Sequence, residues 1–202
     1  GVWLAVLGIS WFFTAGAVLL TEFVPLVSDT LNAQKDVATL FLVIFSVTIA
    51  FGSMTVNRLL KGEVSAKYVP ISALALALGL IDLSFAAGGF AVTYPNATIA
   101  EFAASPGSWR IFADLFVIAF SGGMFIVPLY AILQVRSPAE ERSQVIAANN
   151  ILNAGMTVIA VVIVALLLSA GFSVAQVIGV LGFATLVVAM VSIWLLPEAL
   201  FK

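Results

Sequence analysis

Long apolar runs alternate with short polar breaks along this chain. The runs lie near 1–27, 38–60, 68–92, 109–134, 142–169 and 173–196, and each has the ~20 residues that an α-helix needs to cross ~30 Å of hydrocarbon. Membrane barrels are built from alternating strands of ~10 residues, so the pattern predicts six transmembrane helices instead. The breaks carry helix-stop and turn residues: "PLVSDTLNAQKD", "NRLLKGEVSAKYVP", "TYPNATIAEFAASPGSW", "QVRSPAEERS" and "SAGFS". Within the fourth, Ser137-Pro138-Ala139-Glu140 has the spacing of a capping box, with Ser at the N-cap, Pro first in the helix and Glu third. The fifth helix is expected to begin there.

Polar positions inside the runs are not scattered. In the fifth run, Arg142, Asn149, Asn150, Asn153 and Thr157 fall within a sector of about 100° at 100° per residue. In the second, Thr39, Ser46, Ser53 and Asn57 share about 40°. Ser10, Thr14 and Thr21 share a face of the first run with Glu22 beside it, and Arg110, Asp114 and Ser121 line up in the fourth. The third run has Asp82 as its one deep charge, and the sixth is almost wholly apolar, with Gly179 and Gly182 at small-residue spacing. Amides and hydroxyls facing lipid are costly, so the stripes are expected to face protein or water. They serve either as hydrogen-bonding glue between helices or as the lining of a path. Spans 1, 2, 4 and 5 are striped while 3 and 6 are not, a period of three helices that an inverted three-plus-three repeat would produce.

Composition narrows the class. The chain has 202 residues, 63% of them hydrophobic and 9% charged, which departs from soluble domains and fits a membrane protein. With no cysteine and no histidine, disulfides, thiolate metal sites and imidazole bases are excluded, and neither a metal site nor a cofactor is expected. No nucleophile–base pair suggests an enzyme active site. The net charge of -2 is carried by dispersed residues, leaving no basic patch for nucleic acid. Six of the eight Lys and Arg residues lie in the second break, the fourth break and the tail: Arg58, Lys61, Lys67, Arg136, Arg142 and Lys202. Both termini are therefore expected to be cytoplasmic and the 93–108 loop external, where Asn96-Ala97-Thr98 matches a glycosylation sequon. The chain opens at Gly1 already inside an apolar run, which suggests a piece of something longer.

Individual residues take expected roles from their surroundings. Arg110 and Asp114 stand four apart and are expected to pair. Asp82 is either functional or a partner for a neighbouring helix, and Glu22 either meets a cation or is an interfacial carboxylate. Gly122, Gly123 and Pro128 in the fourth span make either a flexing point or a close helix contact. Tyr68, Tyr94, Trp109 and Trp194 fall near span ends, as interfacial aromatics do.

The grouping of striped and plain helices resembles the major facilitator superfamily, whose twelve helices form two six-helix halves around a cavity with the third helix of each triplet outside. "SMTVNRLLKG" is similar to its cytoplasmic loop motif, small-x-x-x-Asp-Arg-x-Gly-Arg/Lys, with Ser53, Asn57, Arg58 and Lys61 in register. Asn57 replaces the acid and Leu60 the glycine, decay that resembles a second-half copy. "FSGGMFIVPLYAILQVRSPAEERSQVIAANNILNAGMTV" and the ending "WLLPEALFK" resemble the lysophospholipid-transporter branch more closely. Some of its members continue into a glycerolipid acyltransferase and an acyl-carrier-protein ligase.

This resemblance implies an all-α membrane fold, with 1–202 as one C-terminal six-helix half-transporter of the bacterial inner membrane. It implies alternating access for lysophospholipid or a similar amphiphile, with Ser10, Thr14, Thr21, Glu22, Ser46, Asp114, Ser121, Asn149, Asn150, Asn153 and Thr157 as candidate lining. The implied partners are the lipid bilayer, a separate N-terminal half and, in fused relatives, a downstream acyltransferase domain. Two other readings stand beside it: half of a proton-coupled exporter of small molecules, and a non-transporting anchor for a fused acyltransferase.

Overall fold

The computed structural model describes residues 2–195. Gly1, the expected end of the sixth span at Leu196, most of the "WLLPEALFK" ending and Lys202 lie outside the described residues. The architecture is all helical: α1 (Val2–Pro25, continued by a wider π-helical turn, Leu26–Thr30), α2 (Lys35–Leu60), α3 (Val69–Gly88), α4 (Ile99–Ala104), α5 (Ser108–Arg136), α6 (Arg142–Ser169) and α7 (Val174–Leu195). All but α4 are long and apolar enough to cross a membrane, giving six candidate spans.

Local chemistry explains where the boundaries differ from expectation. Pro25 has no N–H to donate back along α1, and the helix continues past it by widening to a turn in which Leu31 N–H donates to the Leu26 carbonyl. The first span therefore reaches Thr30 rather than 27. The fifth begins at Arg142, not at the expected capping box. Ser137 instead ends α5, its hydroxyl donating to the Leu133 carbonyl, and a turn at 138–141 separates it from α6. A capping box does form at Thr98: its hydroxyl accepts from the Glu101 N–H while the Glu101 carboxylate accepts from the Thr98 N–H at 2.8 Å. The Thr98 N–H and then its hydroxyl hold the Glu101 carboxyl below its ordinary range. This bond strengthens the cap at neutral pH and is lost as acid protonates Glu101.

Two close crossings organise the bundle. On α2 and α5, a Cβ placed on Gly52 would lie 2.0 Å from the Phe120 carbonyl oxygen, and one on Gly123 would lie 2.2 Å from that of Ile49. The two backbones touch there, so Gly123 serves close packing rather than flexing. α3 meets α7 across Gly179 and Gly182, and the Ser84 hydroxyl donates to the Ala175 carbonyl at 2.6 Å. α5 also packs on α3 and α1, while α6 lies chiefly along α1.

At the end of the bundle reached by α1 and α3, Phe23, Phe41, Phe102 and Phe112 meet edge-to-face, which seats the short α4 on α2 and α5. Two loops also join there. Gln34 N–H donates to the Ala97 carbonyl, Ala97 N–H to the Asn32 carbonyl, and Asn96 N–H to the Asn32 side-chain oxygen at 2.8 Å. Loops 61–68 and 137–141 lie at the opposite end. If basic residues set orientation, single cysteines at Ser65 and Asn96 in this cysteine-free chain should separate in intact cells. An impermeant thiol reagent should label position 96 and not 65, and the reverse pattern would invert the topology.

Candidate functional site

α1 and α6 carry several buried polar atoms without hydrogen-bond partners. Val145 and Leu152 of α6 pack against the cluster around Val6 and Ile9 of α1, which turns Asn149, between them on that face, toward α1. Asn149 is 1% exposed and is the one buried residue of α6. Neither its Nδ2 nor its Oδ1 has a hydrogen-bond partner, and the same holds for Asn153 Oδ1, one turn on, and for Ser10 Oγ on α1. Ser10 stands one turn beyond Val6, on the same side of its helix, and is fully buried. These atoms lie roughly 10–17 Å from the start of α6 at 1.5 Å per residue. A groove of about 510 Å³ lined by Val2, Trp3, Val6, Val145, Ala148 and Leu152 leads along the same helix pair.

The remaining residues of the expected lining divide. Thr14 is buried, its hydroxyl donating to the Ser10 carbonyl, and Ser121 is buried on α5. Thr157 and Asn153 are half-buried, whereas Thr21, Ser46 and Asn150 are exposed, with the Thr21 hydroxyl satisfied by the Ala17 carbonyl. A second cavity of about 340 Å³, between α1, α2, α3 and α5, is apolar and lined by Phe12, Phe13, Gly16, Phe45, Leu76 and Ile118, none of them expected as lining. In the loop motif, the Ser53 hydroxyl donates to the Ile49 carbonyl, Lys61 adopts a left-handed conformation at the end of α2, and Asn57 and Arg58 are exposed.

The charged residues correct one expectation. Arg110 pairs not with Asp114 but with Asp82 across the α3–α5 contact, Nε donating to Oδ2 at 3.0 Å and Nη2 to Oδ1. Glu22 is buried in the bundle: it is 5% exposed and its Oε2 has no partner. Asp114 is 7% exposed, with Oδ2 likewise unpartnered. Trp109 and Trp194 are largely exposed.

Family models, curated proteins and solved structures give no match to this chain.

Proposed function

We propose that this chain is a six-helix half of a twelve-helix transporter of major facilitator type, two inverted three-helix units that move a lysophospholipid or a similar amphiphile across the bacterial inner membrane by alternating access. The observation that carries this reading is the set of unpartnered buried atoms on Ser10, Asn149 and Asn153. Glue between helices requires a hydrogen bond, and these amides make none with one another or with α1. Buried polar groups without partners suit a visiting ligand that supplies donors and acceptors, such as a zwitterionic head group. The exposed apolar length of α6, including Ile151, Val158 and Leu166, suits coverage by a second half, and the outer side of α7, apolar beyond Gln176 near its start, suits lipid. A bare anchor for an acyltransferase has no use for the amides. Half of a proton-coupled exporter remains a second reading, favoured by the buried carboxyl of Asp114.

The test is uptake of labelled lysophosphatidylethanolamine into proteoliposomes containing the complete transporter, read beside its thermal midpoint. Losing one head-group hydrogen bond of ~1.5 kcal/mol lowers uptake about tenfold, so Asn153→Leu should fall by that factor with an unchanged midpoint. Val180, on the exposed outer side of α7, provides the control, and Val180→Leu should transport normally. Normal uptake by Asn153→Leu, or a fall in midpoint that accounts for the loss, returns the asparagines to a structural role.

A further inference from the structure

A second polar group lies away from the α1–α6 contact, where α3 crosses α5. Arg110 grips both oxygens of Asp82 in a two-pronged pair whose charges cancel. Asp114, one turn further along α5, is more than nine-tenths buried and directs its carboxyl at this pair, within hydrogen-bonding reach of Asp82. Two ionised carboxylates cannot make such a bond, because each only accepts. Such a bond requires a proton on one of them, and the guanidinium fork favours the ionised form of Asp82. With Asp114 also ionised, the group would carry a surplus negative charge. Asp82 and Asp114 each lie six residues, or about 9 Å, from the nearer end of their helices, and a surplus charge at that depth is expensive.

We infer that Asp114 is a reversible proton-binding site, with the Arg110–Asp82 pair as its fixed companion, exchanging protons toward the end of the bundle where α3 finishes and α5 begins. Proton binding forms one O–H bond on the Asp114 carboxylate and cancels its charge; release breaks that bond and returns the proton to water. A metal cation is a poor alternative, because it wants several oxygen ligands and would meet the Arg110 guanidinium beside the one free carboxylate oxygen. The other charged residues on elements packed against α5 are Glu22 on α1, Lys35, Asp36 and Arg58 on α2, and Glu101 on α4, and among the described residues none pairs with Asp114. The site is independent of the cargo proposed above, so it stands or falls separately from the uptake experiment.

Infrared difference spectra of the purified protein in lipid vesicles, recorded between acid and alkaline pH, provide the test. A protonated-carboxyl C=O stretch should disappear on alkalinisation. Asp114→Asn, a neutral near-isostere of the protonated acid, should lack that component. Asp114→Glu should retain a titrating band at a shifted position, and Glu22→Gln should leave the component in place. Sodium added at constant pH should not alter it. A band that persists in Asp114→Asn, the absence of any such band in the unmodified protein, or its removal by sodium at constant pH would each overturn the assignment.

Discussion

Replacing Gly123 with alanine is expected to lower the unfolding free energy in detergent by about 3 kcal/mol, and Gly52→Ala by a similar amount. Each new methyl would stand 2.2 Å or less from a carbonyl oxygen of the facing helix, so the backbones of α2 and α5 must part by ~1 Å or more to restore ordinary contact. Neither obstacle is a side chain that could swing aside, which places the cost at the upper end of the range for overpacking. Separation would also weaken the Cα–H···O contacts that such a crossing permits. The double variant should cost less than the sum of the single ones, because the first methyl already opens the crossing that the second would strain. Gly16→Ala is the control: nothing lies within 4 Å of its added Cβ, and its stability should hold or rise. Chemical unfolding in a single detergent is the measurement. Full stability in Gly123→Ala would mean that the two helices are not in backbone contact.

Phe41→Ala should cost about 3 kcal/mol by the same measurement. The ring is fully buried and meets Phe23 at 5.9 Å, Phe102 at 5.8 Å and Phe112 at 6.1 Å between centroids, linking α1, α2, α4 and α5. Apolar groups leave lipid rather than water when membrane helices associate, so the transfer part of the usual penalty is small and lost packing dominates. That argues for the low end of the range for aromatic truncation. Because Phe102 rests on this ring, α4 should loosen as well, seen as faster proteolysis between residues 93 and 108. A stability loss without faster cleavage would show that the Thr98–Glu101 cap, rather than the aromatic cluster, holds α4.

The six long helices were legible because hydrocarbon thickness imposes a length that few other structures need. α4 was not, since six residues carry too little periodicity. Its signal was Thr98 followed three residues later by Glu101, ahead of Phe102. The same spacing at Ser137 misled, because α5 runs on to Arg136 and α6 starts only at Arg142, after an intervening turn. Arg110 was assigned to Asp114 because the two are one helical turn apart. The structure gives it Asp82, 28 residues away in sequence, a contact that depends on which faces α3 and α5 present to each other. Within the angular stripe on α6, Asn149 is buried and Asn153 half-buried, whereas Asn150, at the stripe's edge, is exposed.

The joined loops at 32–34 and 96–97 bear on how the chain is made. α1, α2 and α3 have little to hold one another until α5 arrives to touch all three. Synthesis runs from the N-terminus, so there is an interval in which three helices have entered the bilayer and their organiser has not. Residues 96 and 97 precede α5 in the chain and can reach Asn32 and Gln34 during that interval. The strap can therefore act as a jig for biogenesis, keeping the ends of α1 and α2 beside the end of α3 while α5 is still within the ribosome.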